Sequence, residues 1–251
     1  MYQRERLKEI LKILKSVHYS TVDYLVEQIH YSPASIRRDL TLLEKQGLVK
    51  RSYGGVEIME DNETPFQFRQ HSMKSEKNKI AAEAVKLIKD GDIVFLDAST
   101  TTQYMGHFIT AKKDICVITN NMMLASYLKE QGTQVFCTGG ELVELPGTLT
   151  GTIAANAFSS FHADIMFFSS DTIDNNGVIN VRPEGHYLIN KAMLENSDKH
   201  VYLCGSNKIG KNSRYVQCNL SEIDYFISDG HLSNETIKKF PHTNFICTRE
   251  N

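Results

Sequence analysis

Nine residues near the N-terminus mark the start of a helix: Ser32-Pro33-Ala34-Ser35-Ile36-Arg37-Arg38-Asp39-Leu40. Serine is a favoured helix N-cap, and proline fits the first helical position because its missing N–H would have no partner there. Ile36, Leu40 and Leu43 follow at helical spacing and form one apolar stripe. Arg37 and Arg38 lie outside that stripe, so the stretch predicts a helix that presents two adjacent guanidinium groups to solvent.

Two helices are predicted before this one, and a β-hairpin after it. Apolar residues at helical spacing indicate a first helix over residues 3–16, and Ser20 with Asp23 three positions later is a capping box that opens a second. Gly47 ends the third helix. Residues 48–56 alternate in character and contain a basic pair and a Gly-Gly turn, as a short hairpin does. Three short helices and a hairpin predict a winged helix-turn-helix domain of α+β class.

The third helix of such a domain enters the major groove of DNA, with its N-terminal residues nearest the base edges. The arginine fork matches guanine O6 and N7, or a phosphate, with two parallel hydrogen bonds. Hairpin residues are better placed to hold the DNA backbone than to read bases. The predicted DNA contacts are Ser32, Ser35, Arg37, Arg38, Thr41, Lys50, Arg51 and Tyr53.

The distribution of charge supports this interpretation more than the total does. The chain has 251 residues and a net charge of −2. Residues 1–56 hold 10 Lys and Arg against 6 Asp and Glu, which leaves a net charge of −6 on the remainder. A basic N-terminal region followed by an acidic remainder is typical of a DNA-binding module joined to a domain that does not contact DNA. The alternative is that Arg37 and Arg38 are solvated residues of a small protein-binding bundle.

Composition argues against several other classes of protein. A hydrophobic fraction of 41% and a charged fraction of 23% are ordinary for a globular chain, and no apolar run is long enough for a transmembrane helix. The N-terminus lacks the apolar segment of a signal peptide, so we expect a cytoplasmic location. The 5 cysteines form no Cys-x-x-Cys pair, and the sequence indicates no disulfide framework, metal site or cofactor.

The rest of the chain alternates short β-rich runs with helical stretches. The apolar runs lie at residues 93–96, 115–118, 134–137, 164–168, 200–204 and 225–227. Strands that are apolar throughout and separated by helices predict a parallel sheet covered on both faces. Ligands of such sheets bind beyond the carboxyl ends of the strands, so the residues after each strand are candidate binding residues.

Small hydroxyl, amide and glycine residues follow most of these strands. Such turns offer N–H and hydroxyl donors to a phosphate, Lys208 adds a positive charge, and Asp97 and Asp171 can accept hydrogen bonds from sugar hydroxyls. The alternative is that these residues only form turns and cap helices. The candidate ligand-binding residues are Asp97, Ser99, Thr100, Thr101, Thr119, Asn120, Asn121, Gly139, Gly140, Asp171 and Lys208.

The N-terminal motif is dense enough to resemble a known family. It reads Ser32-x-x-Ser35-Ile36-Arg37-Arg38-Asp39-Leu40-x-x-Leu43-Glu44-x-x-Gly47-Leu48-x-x-Arg51-x-x-Gly54-Gly55-Val56. This pattern is similar to the signature of the DeoR-type bacterial transcriptional regulators, with Ser35 where threonine is usual and Tyr53 where histidine is common. The resemblance implies a Rossmann-like α/β effector domain, similar in fold to ribose-5-phosphate isomerase and glucosamine-6-phosphate deaminase. It also implies sensing of a phosphorylated sugar or related metabolite.

The resemblance covers almost the whole chain and places Lys191 among the ligand-binding candidates, at a position where the family is commonly basic. We expect a DNA-binding domain over residues 1–57, a linker over 58–74 and an effector domain over 75–251. Departures lie in the effector loops. Residues 169–172 read Ser-Ser-Asp-Thr where the family usually has Gly-x-Asp-Gly, Gly205 replaces the aspartate of Asp-x-x-Lys, and His186 stands where glutamate is common. The expected phosphate-side loops are retained, whereas the expected sugar-side carboxylates are fewer.

Three functions follow from these observations. The first is a repressor of sugar-metabolism genes whose operator affinity changes with a phosphorylated metabolite; paired half-sites then imply a homo-oligomer, a dimer or a tetramer. The second is a phosphosugar isomerase or deaminase with a DNA-binding head, which needs a positioned general base. The third is a regulator that has lost its sugar-phosphate effector and answers to a protein partner. We expect a regulator that is not an enzyme, because the carboxylate-rich loop of the isomerases is missing.

Overall fold

The computed structural model of the protein describes residues 3–52, 55–59, 66–144 and 147–249. The chain divides into two compact units, Met1–Arg69 and Gln70–Asn251. No helix in the described ranges has both the length and the apolar character that crossing a membrane requires.

The first unit packs three helices against a small antiparallel sheet. Its elements are α1 (Gln3–Val17), β1 (Tyr19–Ser20), α2 (Val22–Ile29), α3 (Pro33–Lys45), β2 (Val49–Ser52) and β3 (Gly55–Ile58), and the strand order is β1-β3-β2. Ile10, Leu25, Leu40 and Val56 come from the three helices and the hairpin, and they are completely buried in one core. The predicted winged helix-turn-helix fold is confirmed.

Two helix starts in this unit rest on capping side chains. Ser32 caps α3 as predicted, because its side-chain oxygen accepts the backbone N–H of Ser35. The prediction for α2 is wrong by one residue, since Thr21 and not Ser20 is its N-cap. Ser20 is instead buried in β1, where it pairs with Val56, so the chain turns into α2 one residue later.

The predicted linker, residues 58–74, is described only in part. Ile58 is the last residue of β3, and the short helix α4 (Phe66–His71) lies within the range. Residues 60–65 fall outside the described residues. The two compact units divide between Arg69 and Gln70, inside the predicted linker, but the two predicted domain boundaries stay a prediction.

The second unit is an α/β domain. In chain order its elements are α5 (Lys74–Val85), β4 (Ile93–Leu96), α6 (Thr100–Gln103), α7 (Gly106–Ile109), β5 (Cys116–Thr119), α8 (Met122–Glu130), β6 (Gln134–Cys137), β7 (Glu141–Glu144), β8 (Thr148–Thr150), α9 (Gly151–Ser159), β9 (Ile165–Phe168), β10 (Thr172–Ile173), β11 (Val178–Val181), α10 (Glu184–Glu195), β12 (His200–Cys204), β13 (Tyr215–Asn219), β14 (Tyr225–Ser228), α11 (Asn234–Lys239) and β15 (Asn244–Cys247). In the described part of the chain, the main sheet has seven parallel strands in the order β15-β14-β12-β9-β4-β5-β6.

Both faces of this sheet are covered. Successive strand residues point to opposite sides, so each strand contributes to both cores. Leu96 packs on one side with Ile80 of α5 and residues of α7 and α8. Phe95 packs on the other side with Phe158 of α9 and Met193 of α10. The predicted Rossmann-like architecture is confirmed, and the loops after the neighbouring strands β12, β9, β4 and β5 share one edge of the sheet.

Candidate nucleic-acid interface and ligand site

The start of α3 is held by its own side chains. The hydroxyl of Ser32 donates to the Ser35 hydroxyl at 3.0 Å and accepts the Ser35 backbone N–H at 3.3 Å. Arg37 and Arg38 follow in the next turn, and both are exposed. The helix therefore presents the two guanidinium groups to solvent, as the sequence predicts.

The hairpin is fastened to the same helix by Arg51. Its guanidinium donates to the Thr41 hydroxyl at 2.9 Å and lies 3.8 Å from the Glu44 carboxylate, which also accepts the Arg51 backbone N–H at 3.0 Å. Two predicted DNA contacts, Thr41 and Arg51, are thus brought together on one surface. Lys50 is exposed and pairs with Glu57 at 3.6 Å. Tyr53 lies outside the described residues.

A buried ion pair beneath this surface was not predicted. Arg6 of α1 donates to the carboxylate of Asp39 on α3, and both residues are buried. The sequence carried a signal for it. Asp39 stands three residues after Ile36 and one before Leu40, which is a position on the apolar stripe, and a carboxylate there needs a charged or hydrogen-bonding partner.

In the second unit, the loop after β4 is closed by Asp97. One carboxylate oxygen accepts the Ser99 backbone N–H at 3.1 Å and the Thr102 hydroxyl at 2.7 Å, while the other accepts the Ser169 backbone N–H at 2.9 Å. Ser99 in turn caps α6 by accepting the Thr102 N–H. Both oxygens of Asp97 therefore hold the loops together, and this explains its burial without a sugar hydroxyl.

Lys208 lies against the loop after β9. Its ammonium group donates to the Ser169 hydroxyl at 3.0 Å and to the Ser170 carbonyl oxygen, and the Ser169 hydroxyl donates onward to the Leu203 carbonyl at 2.6 Å. Through Ser169, this lysine is one residue removed from Asp97. The predicted grouping of Asp97 and Lys208 at one sheet edge is borne out by these contacts, whereas ligand binding there stays a prediction.

The loop after β5 supplies two buried amides. Asn120 exchanges hydrogen bonds with the backbone of Leu149, and the Asn121 side chain caps α8 by accepting the Leu124 N–H at 3.0 Å. Within the described residues, the Asn120 side-chain oxygen and the Asn121 side-chain nitrogen have no hydrogen-bond partner. The Thr119 hydroxyl accepts the Asn121 N–H at 3.1 Å. Two buried polar atoms at this edge are thus left without a partner in the protein described.

Gly140 fixes how the hairpin β7–β8 meets this edge. Its φ is +111°, and a Cβ there would lie 2.5 Å from the Thr150 carbonyl oxygen and 3.0 Å from Ala154. Only glycine fits without a backbone shift. Gly139 has a φ of +70° and open space around it, so its requirement is conformational alone.

Two candidate residues are engaged elsewhere. The Asp171 carboxylate accepts the backbone N–H of Arg182, and this bond ties the strand-end loop to the residue after β11. Lys191 is exposed on α10 and pairs with Glu195 at 3.9 Å. Within the described residues, this pairing directs Lys191 along α10 and not to the strand-end loops. Thr100 and Thr101 are buried at the start of α6, and their hydroxyls make no hydrogen bond with a described residue.

Acidic and thiol groups near the edge do not assemble a metal site. Over the described ranges, no group of three or more His, Cys, Asp or Glu side chains is placed to hold a metal ion. Burial raises the pKa of the Cys204 thiol, which precedes Gly205, to about 11, so this thiol is neutral at physiological pH.

A winged helix with an exposed arginine pair, joined to a parallel-sheet domain with polar residues at its strand ends, defines a two-domain transcriptional regulator. Residues 6–62 match the DeoR-like helix-turn-helix domain, and residues 72–230 match the DeoR C-terminal sensor domain. The chain therefore belongs to the DeoR family of transcriptional regulators.

Curated relatives match along nearly the whole chain. The HTH-type transcriptional repressor GlcR of Bacillus subtilis is 33% identical over 232 residues, covering 91% of this chain and 89% of that protein. The glycerol-3-phosphate regulon repressor of Escherichia coli is 27% identical, with 91% and 92% covered. The lactose phosphotransferase system repressor of Streptococcus mutans is 29% identical, with 98% and 100% covered.

Solved structures resemble the fold more distantly. Ribose 5-phosphate isomerase from Plasmodium falciparum is 17% identical with a TM-score of 0.41, covering 55% of this chain and 53% of that one. The eIF2B beta subunit from Chaetomium thermophilum is 14% identical with a TM-score of 0.46, covering 79% and 54%. The chain spans about half the length of each. Both TM-scores are below 0.5.

Proposed function

We propose that this chain is a repressor that binds operator DNA through α3 and the hairpin and releases or retains it according to a phosphorylated sugar at the strand-end edge. Membership of the DeoR family and the repressor names of the relatives support the DNA-binding half. The relatives named for glycerol-3-phosphate and for the lactose phosphotransferase system support a sugar-related metabolite. The DNA-contacting residues proposed are those predicted from the sequence, led by Arg37 and Arg38.

The position of Lys208 is the main observation in support of binding of a phosphorylated sugar. A cation held against Ser169 and Ser170, next to the loop closed by Asp97, supplies the charge that a phosphate needs. The unpartnered amide atoms of Asn120 and Asn121 lie after the neighbouring strand of the same edge and can bond to ligand oxygens or hydroxyls. Thr100 and Thr101 add hydroxyl donors at the start of α6.

Asp97 and Asp171 take a different role in this proposal from the one their type suggests. Their carboxylates already accept hydrogen bonds within the protein, so they shape the site and do not bind sugar hydroxyls directly. The same bonds argue against an isomerase, because a general base must reach the substrate proton. They also favour the second candidate, a regulator whose sugar-phosphate sensing is lost.

The proposal also requires two DNA-binding units to act together. Operators of helix-turn-helix proteins contain two half-sites about one helical turn apart, and one winged helix reads one of them. We propose a homo-oligomer, with the ligand binding the operator-competent and operator-incompetent arrangements unequally, since equal binding would shift neither population.

The test is an operator-shift assay with the full chain, scanned across a panel of sugar phosphates and their unphosphorylated sugars. The operator is selected from random double-stranded DNA by the purified protein. We expect at least one sugar phosphate to change DNA affinity more than tenfold, and the matching free sugar to have no effect. Uniform lack of response across the panel would support lost sensing.

Lys208→Gln and Lys191→Gln form a matched pair for the same assay. Both remove one positive charge, but only Lys208 contacts the strand-end loops. We expect Lys208→Gln to abolish the response and Lys191→Gln to retain it, with operator affinity in the absence of ligand unchanged for both. If Lys191→Gln instead abolishes the response and Lys208→Gln retains it, the ligand binds at the outer face of α10.

A further inference from the structure

Exposed apolar side chains are concentrated at one end of the main sheet. In the described part of the second unit, seven large hydrophobic residues are exposed, and six of them fall between residues 122 and 153. These six residues form the apolar face: Met122 and Met123 at the start of α8, Phe136 on β6, Leu142 and Val143 on β7, and Ile153 on α9. Exposed apolar residues that cluster in this way mark an interaction surface.

Contacts within the second unit hold these residues around the hairpin β7–β8. Phe136 packs against Phe161, which comes just after α9, with the ring centroids 5.1 Å apart. Ile153 lies in the first turn of α9, and this helix packs against the hairpin. The backbone N–H of Met122 donates to the Gly147 carbonyl at 2.9 Å, which holds the start of α8 beside the hairpin. The apolar face is therefore one region of the fold, at the edge of the sheet that β6 forms.

The sequence around this face is almost uncharged. Residues 131–161 contain only two charged residues, Glu141 and Glu144, in a chain that is 23% charged, and they contain no lysine, arginine or histidine. DNA or an acidic partner would require cations at the contact. A second copy of the chain requires the opposite, because a two-fold axis presents the same patch to itself and brings like charges together. The charge pattern therefore favours a second copy as the partner.

The edge strand β6 is open to the same kind of partner. Among the described strands it pairs only with β5, so its outer backbone groups face away from the sheet. Exposed edges are usually blocked by a lysine, a proline or a bulge, and Gln134–Cys137 contains no charged residue or proline. Two copies of β6 can pair antiparallel across a two-fold axis and satisfy each other's backbone groups. Side chains of paired strands stand above and below the sheet, which leaves Cys137 accessible to a small reagent.

We propose that the apolar face and the outer edge of β6 are the surface through which two copies of this chain pair. This inference rests on the proposed function, because operator half-sites require two DNA-binding units. The surface is joined to the proposed ligand site, since Asn120 exchanges hydrogen bonds of 2.8 and 2.9 Å with the backbone of Leu149 on β8. A ligand that bonds to the amides after β5 therefore acts next to the contact between the two copies.

Sedimentation equilibrium of the full chain tests this surface with Ile153→Lys, Val143→Lys and the control Val216→Lys. Ile153 is 67% exposed and Val216 is 63% exposed, but Val216 lies on β13, outside the apolar face. A lysine on the face places like charges at the contact of the two copies, so we expect the dimer dissociation constant to rise about a hundredfold or more. The control should associate as wild type does.

Hydrogen exchange locates the contact in the wild-type protein without any substitution. The full chain is compared at concentrations above and below its dimer dissociation constant. We expect residues 134–144 to exchange more slowly in the dimer, and the opposite edge strand β15 to exchange equally in both conditions. Protection of β15 with no protection of β6 would place the contact at the other edge of the sheet and overturn the proposal.

The outcomes separate this surface from the proposed function. A dimer that survives both Ile153→Lys and Val143→Lys overturns the surface and leaves the repressor proposal standing, as does a wild type that is monomeric at every concentration. A dimer that both variants disrupt, formed by a chain that binds no operator, contradicts the repressor proposal and leaves the surface standing. Thermal unfolding at a concentration where all variants are monomers should give equal midpoints, which excludes a folding defect.

Discussion

Arg6 donates a hydrogen bond from its guanidinium to the Asp39 carboxylate, and this buried ion pair joins α1 to the recognition helix α3. Gln3 donates to the other carboxylate oxygen at 3.0 Å, and the Arg6 guanidinium lies 4.5 Å from the centre of the Tyr31 ring. The hydrogen bond that Arg6 donates to Asp39 raises the pKa of the Arg6 guanidinium above its ordinary value, so Arg6 stays positively charged. The pair fixes the helix that carries Arg37 and Arg38.

Asp39→Asn should therefore destabilise the DNA-binding unit. It removes the charge from a hydrogen bond to a buried cation, and such bonds are worth about 1.5–3 kcal/mol. Hydrogen exchange of α1 and α3 amides in the full chain measures the effect. Glu27→Gln, which alters an exposed carboxylate on α2, is the control and should leave exchange unchanged. Equal exchange in both variants would contradict a stabilising role for the pair.

Arg37→Ala and Arg38→Ala should weaken operator binding by about 1–3 kcal/mol for whichever residue reads a base. The loss should be larger for the selected operator than for unrelated DNA at the same salt concentration. Lys15→Ala, which removes an exposed charge at the end of α1, provides the comparison. Unchanged binding in both arginine variants would show that α3 is not the recognition helix.

Arg51→Ala should act differently from the α3 variants. Arg51 belongs to the hairpin, and its bonds to Thr41 and Glu44 place it beside α3, where it is suited to a phosphate contact. Its loss should weaken binding to all DNA sequences alike and reduce the slope of log K against log salt by about 1. A selective loss for the operator would instead assign Arg51 to base reading.

Gly140→Ala should unfold the sensor domain at a lower temperature than Gly132→Ala. Both glycines have positive φ, which costs alanine about 1–2 kcal/mol. At Gly140 the new Cβ also meets the Thr150 carbonyl oxygen, whereas nothing lies within 4 Å at Gly132. Forcing that backbone apart adds about 1–3 kcal/mol. Equal midpoints for the two variants would contradict the close contact between the hairpin and α9.

Thiol labelling should follow burial. Cys137 is exposed and should react with a maleimide in the native protein, while Cys204 should stay unmodified. Burial raises the pKa of Cys204 from 9.0 to about 11, so the unfolded chain ionises first as the pH rises. This thiol favours the folded state below about pH 9, and that contribution is lost between pH 9 and 11. Mass spectrometry of the maleimide-treated protein across this pH range measures how much of Cys204 is modified. Rapid labelling of Cys204 at pH 8 would contradict its burial.

Most of the fold could be predicted from local patterns. The six predicted strands are present, and the Ser32 cap is where its sequence places it, because apolar runs and capping side chains act within a few residues. The strand β15 was not predicted, although Phe245, Ile246 and Cys247 form a short apolar run, and it lies half-exposed at the edge of the sheet. The hairpin β7–β8 and the two-residue strand β10 are held by tertiary pairing that local periodicity does not reveal.

The candidate site could be predicted in position but not in detail. Parallel strands bring Asp97, Asn120 and Lys208 to one edge, which follows from topology alone. The roles of the carboxylates could not be predicted in full, because Asp97 also accepts from Ser169, 72 residues away, and Asp171 accepts from Arg182, 11 residues away. The same holds for Arg6 and Asp39, which are 33 residues apart.

Ser169 donates its backbone N–H to Asp97 and its hydroxyl accepts from Lys208, so these two hydrogen bonds join the ends of three neighbouring strands. A ligand arriving at this edge meets groups that are already ordered, so little conformational entropy remains to be lost on binding. Such preorganisation favours selection by shape and donor position over loop closure. A bound molecule can therefore affect the ends of β4, β9 and β12 together, because none of these strand ends can shift without breaking a hydrogen bond to its neighbour.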